Sequence, residues 1–130
     1  LTEKKAMKRF QLMNEICYEK ITASFKRNIN DQVLVFVHTR NETQKTAEAI
    51  KELAAENDEL HLLVDDDNLE AKEILQSEAE SSVKHAGLKE ILPFGIGIHH
   101  AGMTRHDRNL VEDLFMNKYI KVLVSTATLA

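Results

Sequence analysis

The sequence predicts an α/β fold with a mainly parallel sheet flanked by helices. Three observations carry that prediction. Short apolar runs rich in β-branched residues alternate with stretches of helical periodicity, the pattern of strands joined by crossover helices. The first run, Val33–Val37, is too apolar for a half-exposed strand and reads as one covered on both faces, the habit of parallel sheets. Three of the runs end on short polar strings, HTR at 38–40, HHAGM at 99–103 and STAT at 125–128, and parallel strands would bring those strings to one edge.

Each element has its own signal. Met7, Phe10, Met13, Cys17, Ile21 and Phe25 form one apolar stripe, which predicts an amphipathic helix over residues 3–27 and places Cys17 in the core. Val33–Val37 is the first strand. Thr39-x-x-Glu42 is a capping box, and Ala47, Ile50, Leu53 and Ala54 continue a helical face behind it. Leu60–Val64 is a second strand candidate. From Asp65 to Lys84 the chain is acidic and polar, with Ala71, Ile74, Leu75 and Ala79 at helical spacing, so a solvated helix flanked by loops is expected. Gly87 and Pro93 bracket a short helical turn. Residues 94–98 make a third strand. Thr104-x-x-Asp107 caps a helix that turns Leu110, Val111, Leu114 and Phe115 to the core, and Ile120–Val124 is the fourth strand.

The apolar runs anchor the sheet, and their polar ends are delivered to the crevice outside the carboxyl ends of the strands, where open α/β sheets bind ligands. Gathered there are Arg40, the hydroxyls of Thr39, Ser125, Thr126 and Thr128, a glycine that permits close backbone approach (Gly102), and the free N–H groups of helix starts. This set contains anion ligands and almost no acid or base, so it suits phosphate binding better than bond breaking.

The composition narrows the field. Lys and Arg number 17 against 21 Asp and Glu, a net charge of -4, so bulk electrostatics gives no reason to expect nucleic acid and any anion site is local. A single cysteine cannot close an internal disulfide, and no window approaches the roughly 20 apolar residues of a membrane span or the apolar stretch of a signal peptide. The expectation is a soluble, intracellular chain without a membrane partner. Leu1 at the start and an apolar run directly before the last residues suggest a piece of something longer.

Plainer readings stand beside the functional ones. His38, His99 and His100 suggest metal, but adjacent strand residues point to opposite faces and no carboxylate sits at ligand spacing. Thr39 and Thr104 would serve as helix caps in any protein. Arg105 and Arg108 could pair with Asp107 and Glu112 on the surface. Asp65-Asp66-Asp67 is either a solvated loop or an acidic magnesium pocket at a strand end. No G-x-x-x-x-G-K-[ST] loop is present to cradle a nucleotide triphosphate.

Taken together, VLVFVHTR, GIHHAGMTRHDR, LVEDLF and VLVSTATLA, with the leading KKAMKRFQLMNEICYEKI, resemble in order and spacing the second RecA-like domain of the Ski-like branch of superfamily two RNA helicases. The likeness is to the splicing members of that family and to their first helicase cassette, and it covers the chain apart from residues 57–85. It implies a three-layer RecA-like domain over residues 1–130, incomplete at its C-terminal end, with 57–85 as a family-variable acidic insertion. Val33–Arg40 would be motif IV, His99–Arg108 the neighbouring RNA-backbone motif and Val122–Ala130 the start of motif V.

By that resemblance His38, Thr39, Arg40, His100, Gly102, Arg105, Ser125 and Thr126 would touch the backbone of one RNA strand. The parent would be a nuclear, ATP-dependent RNA helicase using ATP and Mg2+, with RNA, a first RecA-like domain and other spliceosomal proteins as partners. No catalytic residue is expected within this chain, which alone would neither bind ATP tightly nor turn it over. Other readings are a paralogous helicase of ribosome-rescue or DNA-repair complexes and, from a different class, a receiver-like switch with acidic residues after one strand and hydroxyls after another.

Overall fold

A computed structural model describes residues 2–65 and 67–127; Leu1, Asp66, Thr128, Leu129 and Ala130, and the expectations placed on them, lie outside the described residues. The order is α1 (Thr2–Arg27), β1 (Val33–Val37), α2 (Arg40–Glu56), α3 (Leu60–Leu63), α4 (Leu69–Ser81), α5 (Ala86–Ile91), a 3-10 turn (Leu92–Phe94), β2 (Ile96–His99), α6 (Arg105–Met116) and β3 (Val122–Thr126). The sheet runs β1-β3-β2 and both pairings are parallel. It is flanked by helices, as in a RecA-like domain. No helix among the described residues is long and apolar enough to cross a membrane.

The two predicted caps form. Thr39 Oγ1 accepts the Glu42 amide at 3.2 Å, and the Glu42 carboxylate reaches back to the His38 amide at 3.3 Å, one residue beyond the expected partner. Thr104 Oγ1 accepts the Asp107 amide at 3.1 Å. Behind these caps, Ala47, Ile50 and Ala54 of α2 and Val111 and Leu114 of α6 are buried. Gly97 belongs to the α6 side of the sheet: a Cβ there would stand 3.2 Å from Val111 Cγ1 and 3.0 Å from Ile120 Cδ1. α4 turns Ala71, Leu75 and Ala79 inward and packs on α5 and the 3-10 turn. The acidic stretch is thus a solvated helix with one apolar seam.

Three expectations need correction. Leu60–Val64 is no strand: Asp58 at φ 55° turns the chain after α2, and Leu60–Leu63 closes a single helical turn. The run is Leu-rich with one β-branched residue, and the turn already buries Leu62 and Leu63, while the Leu62 carbonyl accepts Lys121 Nζ at 2.8 Å. Among the described residues the sheet therefore has three strands, and Asp65 follows a helix, which removes the strand-end placement that both a magnesium pocket and a receiver-like switch require.

The second correction concerns β1, which is not covered on both faces. Leu34 and Phe36 are 36% and 58% exposed, because β1 is an edge strand and these residues share the Gly97 and His99 face, where α6 packs on β2. The third concerns α1, whose stripe is buried only towards its C-terminal end. Tyr18, Ile21 and Phe25 pack into the core and Cys17 is half-buried against it, while Met7 and Met13 are exposed. At 1.5 Å per residue the 26 residues of α1 span about 39 Å, more than twice a five-residue strand, so the helix overhangs the sheet.

The boundaries of the later strands shift as well. Phe94 ends the 3-10 turn, and Gly95 at φ 82° reverses the backbone before β2 begins at Ile96. A turn through Lys118, at φ 66°, delays β3 to Val122 and carries Ser125 and Thr126 into the strand.

Candidate nucleic-acid interface

Parallel pairing fixes what stands at the carboxyl edge. Val37 is opposite Thr126, and His99 is opposite Ser125, so the segments beginning at His38, Ala127 and His100 emerge side by side. His38 is exposed and its amide is given to Glu42. Thr39 is exposed, and its hydroxyl is occupied as the α2 cap. Arg40 opens α2, with an exposed side chain that makes no ion pair or hydrogen bond among the described residues.

Arg40 comes to the Gly102 turn. A Cβ built on Gly102 would lie 2.9 Å from Arg40 Nη1 and 3.1 Å from His100 Nδ1. Arg40, His100 and Gly102, expected from sequence to share the crevice, are therefore in contact. His100 is buried, with Nδ1 accepting the Gly102 amide at 3.1 Å. Burial, then the neighbouring His85, Arg40 and His99, holds its imidazole below the usual histidine range. A hydrogen bond to an unprotonated Nδ1 and a guanidinium close by both favour the neutral ring.

The remaining expected residues divide. Thr126 is half-buried at the strand tip, and its hydroxyl has no hydrogen bond among the described residues. Ser125 points inward: it is fully buried and its hydroxyl donates to the Thr126 carbonyl at 2.8 Å. Arg105 is exposed on the first turn of α6, beside the turn but without a partner among the described residues. The surface pairs considered for Arg105 and Arg108 do not form, because their acids are committed elsewhere. Asp107 is buried and accepts the amides of Lys84 and His85, and Glu112 meets His99 Nε2 at 3.0 Å. Arg108 Nε is left buried without an acceptor among the described residues.

The neighbouring histidines thus go separate ways, His99 to α6 and His100 to the Gly102 turn. Among the described residues no group of three His, Cys, Asp or Glu could hold a metal ion. Sequence reading missed His85, whose ring stands edge-on to His100 with centroids 5.5 Å apart, and the Asp107 clamp that holds it. No local pattern announces either, since the partners are 15 and 22 residues apart in the chain. Among the described residues the edge offers the Arg40 guanidinium over a glycine turn, the Arg105 guanidinium beside it, the Thr126 hydroxyl, and the amides at the start of two capped helices. Such a surface can hold phosphates.

No family model matches the chain. Along its whole length it is 58% identical, over 130 residues, to the U5 small nuclear ribonucleoprotein 200 kDa helicase of Homo sapiens. It is 50% identical over 131 residues to the pre-mRNA-splicing factor brr2 of Schizosaccharomyces pombe, and 48% identical over 130 residues to the DExH-box ATP-dependent RNA helicase DExH12 of Arabidopsis thaliana. In each case it spans 6% of the relative's length. Identity at this level over the full length of the chain makes it a homologue of a segment of the RNA helicases represented by the U5 small nuclear ribonucleoprotein 200 kDa helicases.

Proposed function

We propose that this chain is the RNA-backbone-gripping half of an ATP-dependent helicase motor that unwinds small nuclear RNA duplexes during pre-mRNA splicing in the nucleus. The observation that carries the reading is the unpaired Arg40 guanidinium seated over the Gly102 turn, at the same sheet edge as the free Thr126 hydroxyl. The names of the relatives, a U5 small nuclear ribonucleoprotein helicase, a pre-mRNA-splicing factor and an ATP-dependent RNA helicase, support it.

In this reading Arg40 and Arg105 neutralise phosphates of one strand, Thr126 adds a hydrogen bond, and no base edge is read. Grip is therefore independent of sequence and sensitive to salt. Closing and opening against a first RecA-like domain moves this grip along the strand. The full-length protein uses ATP and Mg2+; this chain has no G-x-x-x-x-G-K-[ST] loop, so alone it is expected to show no ATP turnover. Other spliceosomal proteins are its further partners.

The test is Thr126→Val in the full-length protein. Valine keeps the β-branched shape, so the strand survives, while the hydrogen bond from the hydroxyl to a charged phosphate oxygen is lost. RNA affinity falls several-fold and unwinding slows more than RNA-independent ATP hydrolysis, at an unchanged melting temperature. A lower melting temperature with unchanged RNA affinity would assign the hydroxyl to the fold and count against the reading.

A further inference from the structure

The Gly102 turn is closed by the Met103 amide on the His100 carbonyl at 3.2 Å, and its remaining inward amide, that of Gly102, is held by one ring. Because His100 Nδ1 accepts the Gly102 amide at 3.1 Å, that nitrogen carries no proton and the neutral ring holds its proton on Nε2. The ring in turn rests on His85, edge to face, with centroids 5.5 Å apart and an interplanar angle of 76°. His85 is fixed at two points. Its amide donates to Asp107 Oδ2 at 2.9 Å, and its own Nδ1 accepts the Leu88 amide at 3.2 Å as the cap of α5. His100 cannot take a proton on Nδ1 without giving up the Gly102 amide.

We propose that His85 is a positioning residue for this edge: its ring holds the His100 ring in place, which braces the Gly102 turn and with it the seat of the Arg40 guanidinium. Through the amides of Lys84 and His85, both held by Asp107, the same contact ties the edge to the end of α4. The titratable and charged groups that face His100 are His85 from the segment before α5, Arg40 from α2 and His99 beside it in the chain. Every one of them opposes charge on the ring, as does its burial. Only the last link, from Arg40 to a phosphate, rests on the proposed RNA grip.

The informative variant is His85→Asn. Asparagine is a strong helix cap, so its side-chain oxygen takes over the Leu88 amide while the ring is lost. In the chain itself, an NMR titration should show the His100 midpoint rising towards the ordinary histidine value, and the Gly102 amide exchanging several-fold faster. His85→Phe restores an aromatic edge and should return Gly102 protection to the wild-type level, whether or not the asparagine variant is stable. An unchanged His100 titration and unchanged Gly102 exchange in His85→Asn overturn the proposal, as does failure of phenylalanine to protect Gly102.

The full-length protein supplies the second arm. RNA affinity should fall several-fold in His85→Asn, and the double variant with Arg40→Ala should bind no more weakly than Arg40→Ala alone, because both act on one contact. Additive losses contradict the proposal. If the Gly102 turn loosens in His85→Asn but Arg40→Ala leaves RNA affinity untouched, the positioning role stands and the RNA reading of Arg40 falls.

Discussion

At the scale of single residues, Gly102 is where structure and proposed function meet most narrowly. Its backbone does not need a positive φ, since Gly95 is the one glycine among the described residues that has it. What Gly102 supplies is space. An alanine Cβ would stand 2.9 Å from Arg40 Nη1 and 3.1–3.2 Å from the His100 ring. The guanidinium is the far end of a flexible side chain and can swing away at little cost, but the buried His100 ring must also give by a few tenths of an ångström, so Gly102→Ala should cost about 0.5–1 kcal/mol. The same displacement should lower RNA affinity in the full-length protein several-fold. Melting and binding measured on one preparation check both halves, and unaltered binding would mean that Arg40 needs no fixed seat. Arg40, Gly102 and Thr126 were legible in the sequence because each stands at the end of a strand or shortly beyond it. His100 was legible as a member of the edge but not as a buried, hydrogen-bonded support. That distinction depends on His85, and nothing within one turn of either residue encodes their meeting.

At the scale of elements, the helix caps were readable and one of them does a second job that was not. Thr104 caps α6 as the T-x-x-D spacing requires, yet the Asp107 carboxylate leaves its own helix and holds the amides of Lys84 and His85 at 2.9–3.1 Å. Asp107→Ala therefore strands two donors at a fully buried site and should cost about 1–3 kcal/mol. Denaturant midpoints measure this directly, and Asp107→Asn, which keeps one acceptor oxygen, should recover part of the loss. A variant as stable as the wild type would contradict the clamp. The elements misread from sequence failed for identifiable reasons. Leu60–Val64 has the length of a strand, but a left-handed Asp58 and a Leu-rich composition close it into a helical turn. The α1 stripe has the right period, yet periodicity says nothing about where a long helix runs out of protein to cover it.

At the scale of the whole molecule, three parallel strands in the order β1-β3-β2 convert three separate polar strings into one edge. The chain carries a net charge of -4, so in the proposed reading attraction to RNA comes from the local placement of Arg40 and Arg105 and not from a general field. The parallel topology and the edge followed from strand and helix alternation. The open face of β1 at Leu34 and Phe36 did not, because it depends on strand order and on which helix lies over which strand. The central claim is that Arg40 neutralises one RNA phosphate. The most direct measurement is the salt dependence of single-stranded RNA binding by the full-length protein with and without Arg40→Ala. Loss of one phosphate contact should reduce the slope of log K against log salt by about 0.7 and weaken binding alike for all RNA sequences. An unchanged slope with a folded variant would contradict the claim and leave Arg40 a structural residue of the α2 start.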